Sequence, residues 1–138
     1  MLGFDQNDAD YAVWLELDGK EYELNRFEIS FGQEVDYKGQ PQDEVRGGII
    51  YATLNEIVPE SIYEWTMKNR TKNGTVVFKI SSGSSPLKIE FSNSYCLSLN
   101  RNIDSMGYGL KTRLVISPEE LLINGISFDN HWINLKKI

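Results

Sequence analysis

From Phe27 the chain alternates: Phe27, Ile29 and Phe31 stand between Glu28, Ser30 and Gly32, the period of two that lays one face of a strand on a core. Beyond a polar insert, Ile49-Ile50-Tyr51-Ala52-Thr53-Leu54 is β-branched and aromatic and reads as the next strand. The insert, Gln33 to Gly48, holds Gly39, Pro41, Gly47, Gly48 and alternating charge, and it is longer than a hairpin needs. Upstream, Tyr11 to Leu17 puts Val13, Leu15 and Leu17 on one face, and Asp18-Gly19 closes a tight hairpin. The returning strand from Lys20 carries Tyr22 and Leu24 on even positions, whereas the apolar residues from Phe27 onward are odd. That change of phase at Asn25-Arg26 predicts a bulge.

Val58-Pro59-Glu60-Ser61 is a helix start, with proline and an acid suited to the first turn. The helix is predicted over about 59–69, with Ile62 and Trp65 three apart on its packing face and Glu64 set to pair with Lys68. Lys72-Asn73-Gly74 breaks the pattern, and Thr75 to Ile80 resumes it as a strand. Leu87, Ile89, Phe91, Tyr95, Leu97 and Leu99 then keep odd parity, as one long strand or two with a bend. Arg101 to Gly109 reads as a turn region, and Leu110 to Ile116 alternates again. Leu121 to Ile123 and Ile126 to Phe128 flank Asn124-Gly125, a strong hairpin signal. The sum is a mainly β chain of about eight strands and one flanking helix, a sandwich or barrel.

Composition narrows this picture. At 138 residues, with 41% hydrophobic and 25% charged residues, the chain has the size and makeup of one globular domain. Residues 11–138 are expected to form it, and the acidic, aperiodic stretch 1–10 reads as a flexible N-terminal extension. A net charge of -6 argues against nucleic acid or an anionic membrane as partner. The single cysteine, Cys96, allows no internal disulfide and fits a reducing cytoplasm. Met1 to Asp10 lacks the basic and apolar regions of a secretory signal. No apolar run approaches the roughly 20 residues of a membrane span.

No catalytic constellation emerges. His131 is the only histidine, and Asp129 is too local to orient it. One histidine and one cysteine do not make a zinc set, and the acids at 36–43 lack the spacing of a calcium loop. Gly47-Gly48 after Arg46 lacks the glycine spacing and lysine of a phosphate loop, and suits a turn or a close backbone approach. No catalytic residue, metal ligand or cofactor is therefore expected.

One string carries more. Phe31-x-Gln33-Glu34-Val35-Asp36, Gly39-Gln40-Pro41, Val45-Arg46-Gly47-Gly48, Glu64-Trp65, Gly74-Thr75, Glu90-Phe91-x-x-x-Tyr95-Cys96 and Trp132 together resemble the haemolysin-coregulated proteins of type VI secretion systems, in their Bacteroidetes form. The resemblance covers about Tyr11 to Trp132. The first ten residues and the basic tail from Asn134 to Ile138 depart from it. It implies a phage tail-tube-like β-barrel, a hexameric ring, and rings stacked head-to-tail into a hollow tube. A contractile sheath drives such a tube, with a spike at its tip and effectors inside. The protein would be cytoplasmic until exported through that apparatus, and it would be structural rather than an enzyme. The long loop is assigned to contacts between subunits and rings, which here falls on Asp36, Lys38, Gln40, Pro41, Asp43, Glu44, Arg46, Gly47 and Gly48. Its acids could meet Lys38 and Arg46 of a neighbour through opposite charges. Rival readings are the tube of a related contractile particle or phage tail, and a monomeric β-barrel holding a small apolar ligand.

Overall fold

A computed structural model describes residues 11–32, 37–40, 46–107 and 109–132. Among them are β1 (Tyr11–Leu17), β2 (Lys20–Leu24), β3 (Arg26–Gly32), β4 (Arg46–Leu54), α1 (Glu60–Met67), β5 (Thr71–Ile80), β6 (Leu87–Asp104), β7 (Gly109–Ser117), β8 (Glu120–Ile123) and β9 (Ile126–Asp129). The extension at 1–10 and the tail at 134–138 lie outside the described residues. Hydrogen bonds join the strands in the order β2-β1-β5-β6-β7-β4-β3, with β8 on β6 and β9 on β8. Every pairing is antiparallel. β6 is long enough to offer β8 its first half and β7 its second, along the edge opposite β5.

The strand expected from Lys20 to Phe31 is two strands, and the expected bulge is a corner. β2 and β3 are the two ends of the sheet's path, yet only Asn25 separates them. Asn25 leaves the side of β1 and donates its N–H to the Thr53 carbonyl at 2.7 Å, which delivers the chain to β4. The sheet thus rolls until its ends meet at this corner. It is barrel-like, although the ladder itself stays open between β2 and β3. Phase reversal alone signals either a bulge or a corner, because both move the next side chain to the other face.

Bulges explain the other differences. Lys72-Asn73-Gly74 does not break the strand: it shifts the register inside β5, and the Asn73 side chain accepts from the Asn93 N–H at 2.8 Å. Asn93 has φ 50°, a conformation asparagine tolerates, and past it burial moves to the even residues Ser94 and Cys96. Leu97 is thereby 60% exposed, and a second shift between Cys96 and Ser98 returns Leu99 to the inner face. Odd parity therefore fails at Leu97. The strand also runs on through Asp104, so that only Ser105 to Gly107 turns among the described residues there.

The interior is filled by side chains, among them Leu15, Tyr22, Ile50, Ile89, Phe91 and Ile116. α1 packs on β6 with Ile62 and Trp65 each 1% exposed. The Trp65 indole N–H donates to the Ser94 carbonyl at 2.8 Å, so the ring is buried without an orphaned donor. Pro59 stands one place earlier than expected, at the N-cap, and the helix is shorter than 59–69 because Asn69 turns to φ 52°. The connection before α1 is held by Glu56, whose carbonyl accepts from Arg101 Nη1 at 3.0 Å and Thr112 Oγ1 at 3.1 Å.

Candidate functional site

The long loop springs from β3 and β4, and its base is built by local irregularity. β3 and β4 pair in step from Arg26↔Thr53 to Ser30↔Ile49, then slip so that Phe31 faces Gly47. Gly48 is the extra residue, at φ +72°, and Gly47 has φ +126°. A Cβ on Gly47 would stand 2.7 Å from the Ser30 carbonyl oxygen, so the two strands approach here more closely than any side chain allows.

β7 cannot support this base. It pairs β4 only from Ile50 to Leu54, and Pro118 follows its last residue without an N–H to give. Asn130, after β9, fills the gap. Gly47 donates its N–H to Asn130 Oδ1 at 3.1 Å, and Asn130 Nδ2 donates to the Gly47 carbonyl at 2.8 Å and to the Pro118 carbonyl at 2.9 Å. The Asn130 backbone N–H donates to Glu119 O at 2.8 Å, and its carbonyl accepts from Arg46 Nη1 at 3.4 Å. The side chain is 7% exposed and fully engaged. Beside it, Phe31 meets Phe128 edge-to-face with centroids 5.0 Å apart, and Tyr95 stacks on Trp132 at 5.5 Å.

Of the residues assigned to the loop, Arg46, Gly47 and Gly48 converge on this base. Lys38 and Gln40 lie on an exposed turn that includes Tyr37, 92% exposed with Lys38 Nζ 5.7 Å from its ring centroid. Asp36, Pro41, Asp43 and Glu44 lie outside the described residues. Sequence reasoning missed Asn130. An Asn beside a lone histidine in Asp129-Asn130-His131 reads as turn chemistry, and only the fold brings it to Gly47.

Catalytic geometry does not assemble around the remaining candidates. His131 is exposed, with Nδ1 3.8 Å from Asp129 Oδ1. Burial pushes the Cys96 thiol above its ordinary range, away from the thiolate a nucleophile needs. Among the described residues no group of His, Cys, Asp and Glu is placed to hold a metal ion. A cleft of about 570 Å³ between the β1–β2 turn and β5–β6 is open and polar, edged by Glu16, Glu21 and Glu90. No described helix is long and apolar enough to cross a membrane.

Comparison with known proteins gives this arrangement a context. The family model described as Hemolysin coregulated protein Hcp (TssD) matches residues 9–133. Hcp1 from Flavobacterium johnsoniae is similar in structure with TM-score 0.76 and 27% identity, covering 86% of this chain and 99% of that one. Hcp1 from E. coli EAEC 042 shares the fold with TM-score 0.69 at 12% identity, covering 89% and 99%. Hcp1 from Salmonella typhimurium does so with TM-score 0.67 at 12% identity, covering 86% and 91%. A search of curated proteins found no match. With a family model spanning nearly its whole length and a fold that superposes on Hcp structures, the chain belongs to the Hcp (TssD) family.

Proposed function

We infer that this protein is a tube subunit of a type VI secretion system and is exported through that system. The observation that carries the reading is the family match over residues 9–133 on an Hcp-like rolled sheet. The protein's work is structural. Six copies close a ring by identical head-to-tail contacts, and rings stack into a tube that a sheath propels, with a spike ahead and effectors within. The interior packed with side chains favours this over a ligand-binding barrel, which needs an empty core. Stacking runs through the loop from Asp36 to Gly48. Isolated exposed ion pairs contribute at most about 1 kcal/mol each, so the loop sets register while apolar contact and strand pairing supply most of the affinity.

Native mass spectrometry with electron microscopy of the purified protein tests the reading. Six-subunit rings that stack into tubes are expected. Compact monomers at every concentration would remove it. Deleting Lys38 to Glu44 should leave folded rings that stack poorly.

A further inference from the structure

We propose that Asn130 is the positioning residue of the stacking loop, fixing the direction in which the loop leaves the sheet by bridging both backbone groups of Gly47. The inference rests on the reading of that loop as the ring-stacking contact. Three observations carry it. The bridge is a pair of hydrogen bonds between one side-chain amide and one residue's N–H and C=O, at 3.1 and 2.8 Å, so it constrains Gly47 as a neighbouring strand would. It sits where the β7 ladder has ended and Pro118 offers no donor, so no backbone group of β7 takes its place. Asn130 is itself held by Glu119 O and Pro118 O. The clamp is thus anchored to the β7–β8 connection rather than to the loop it holds.

The contact matters most because glycine is the residue clamped. At φ +126° Gly47 occupies backbone space closed to other residues and open in several directions to itself. An unclamped glycine there would let the last rungs of the ladder, Phe31↔Gly47 and Gly32↔Arg46, shift and carry the loop with them while β3 and β4 stayed paired from Arg26 to Ser30. A stacking contact needs its tip held in one place, because ordering a mobile loop at each interface subtracts from affinity. Asn130 does that ordering beforehand.

The test uses Asn130→Ala and Asn130→Asp, the latter keeping size and the acceptor for Gly47 N–H while losing the donors to Gly47 O and Pro118 O. Rings should form in both, tubes should become several-fold fewer and shorter by electron microscopy, and in Asn130→Ala exchange of the Gly47 amide should rise about tenfold while Ile50 and Ile116 stay protected. Normal tubes despite a freely exchanging Gly47 overturn the proposal, as does unchanged Gly47 exchange in Asn130→Ala. Loss of cooperative folding in both variants also overturns it, since Asn130 is then a determinant of the fold alone. The Lys38 to Glu44 deletion separates the two ideas. If that deletion stacks normally, the loop reading fails and the proposal with it; if it does not stack while Asn130→Ala does, only the proposal fails.

Discussion

Gly47 and Asn130 are 83 positions apart in sequence and share two hydrogen bonds, N–H to Oδ1 at 3.1 Å and Nδ2 to carbonyl at 2.8 Å. The glycine beside it, Gly48, is buried against Leu121. The two differ in what surrounds them. A Cβ at Gly47 meets the Ser30 carbonyl and Phe31 Cα, both backbone, at 2.7 and 2.9 Å. A Cβ at Gly48 meets the end of the Leu121 side chain, which can rotate away. Gly47→Ala should therefore cost about 2–4 kcal/mol, combining backbone strain with a contact nothing can relieve, and Gly48→Ala about 1–3 kcal/mol. Urea denaturation of the two variants checks the order, and Gly48→Ala proving the worse would show that the strands can part at Ser30.

Trp65 separates packing from polar satisfaction. Its ring is 1% exposed, and its N–H meets the Ser94 carbonyl, at the point where β6 has just changed face. Trp65→Phe keeps an aromatic ring but removes the indole donor to that carbonyl, and should cost about 1–3 kcal/mol. Trp65→Ala also empties the space beneath α1 and should cost about 3–5 kcal/mol. A Trp65→Phe variant as stable as the parent, measured by denaturation, would mean the hydrogen bond contributes nothing, and equal losses for the two would mean the ring's packing does not.

Much of the sheet was legible because alternation and turn chemistry act locally. Asn124-Gly125, at φ 48° and 89°, forms the expected two-residue turn, and α1 buries the expected Ile62 and Trp65. What was not legible depends on partners far along the chain. The phase change at Asn25 is a corner only because Thr53 waits across it, and Asn93 flips parity while its backbone N–H is held by Asn73. The base of the loop was visible as Gly47-Gly48, but Asn130 carries no local mark of its role. A buried side-chain amide that replaces a missing strand is chosen by where β7 stops, and sequence spacing does not record that.

The parity of β6 gives a sharp check. Odd alternation puts Leu97 in the core, whereas the flip at Asn93 leaves it 60% exposed and the second register shift returns Leu99 to the inner face. Leu97→Ser should change stability by no more than about 0.5 kcal/mol. Leu99→Ala, partly buried against the core, should cost about 1–2 kcal/mol. Thermal melts of the two variants decide between the parities, and a Leu97 variant that melts far below a Leu99 variant would restore the unbroken odd face.

Alkaline pH should expose two buried protons. Burial raises Cys96 above its ordinary value near 9.0, partly offset by hydrogen bonds from the Thr66 side chain and the Ser98 and Val115 backbone. Burial first, then the charges of Glu56 and Asp18, raise Tyr22 above 10.0. Both groups ionise to anions, so the folded chain keeps these protons to higher pH than the unfolded chain does. Above the unfolded values the unfolded state binds fewer protons, and stability falls with rising pH until the folded groups ionise as well. The stabilisation is complete below about pH 8, where thiol and phenol are protonated in both states. Urea denaturation from pH 7 to 10.5 should show a decline beginning near pH 9. Cys96→Ala should flatten its first part, and Tyr22→Phe should flatten the part above pH 10 from a lower starting stability. Parallel curves for all three proteins would show that neither proton is held by the fold.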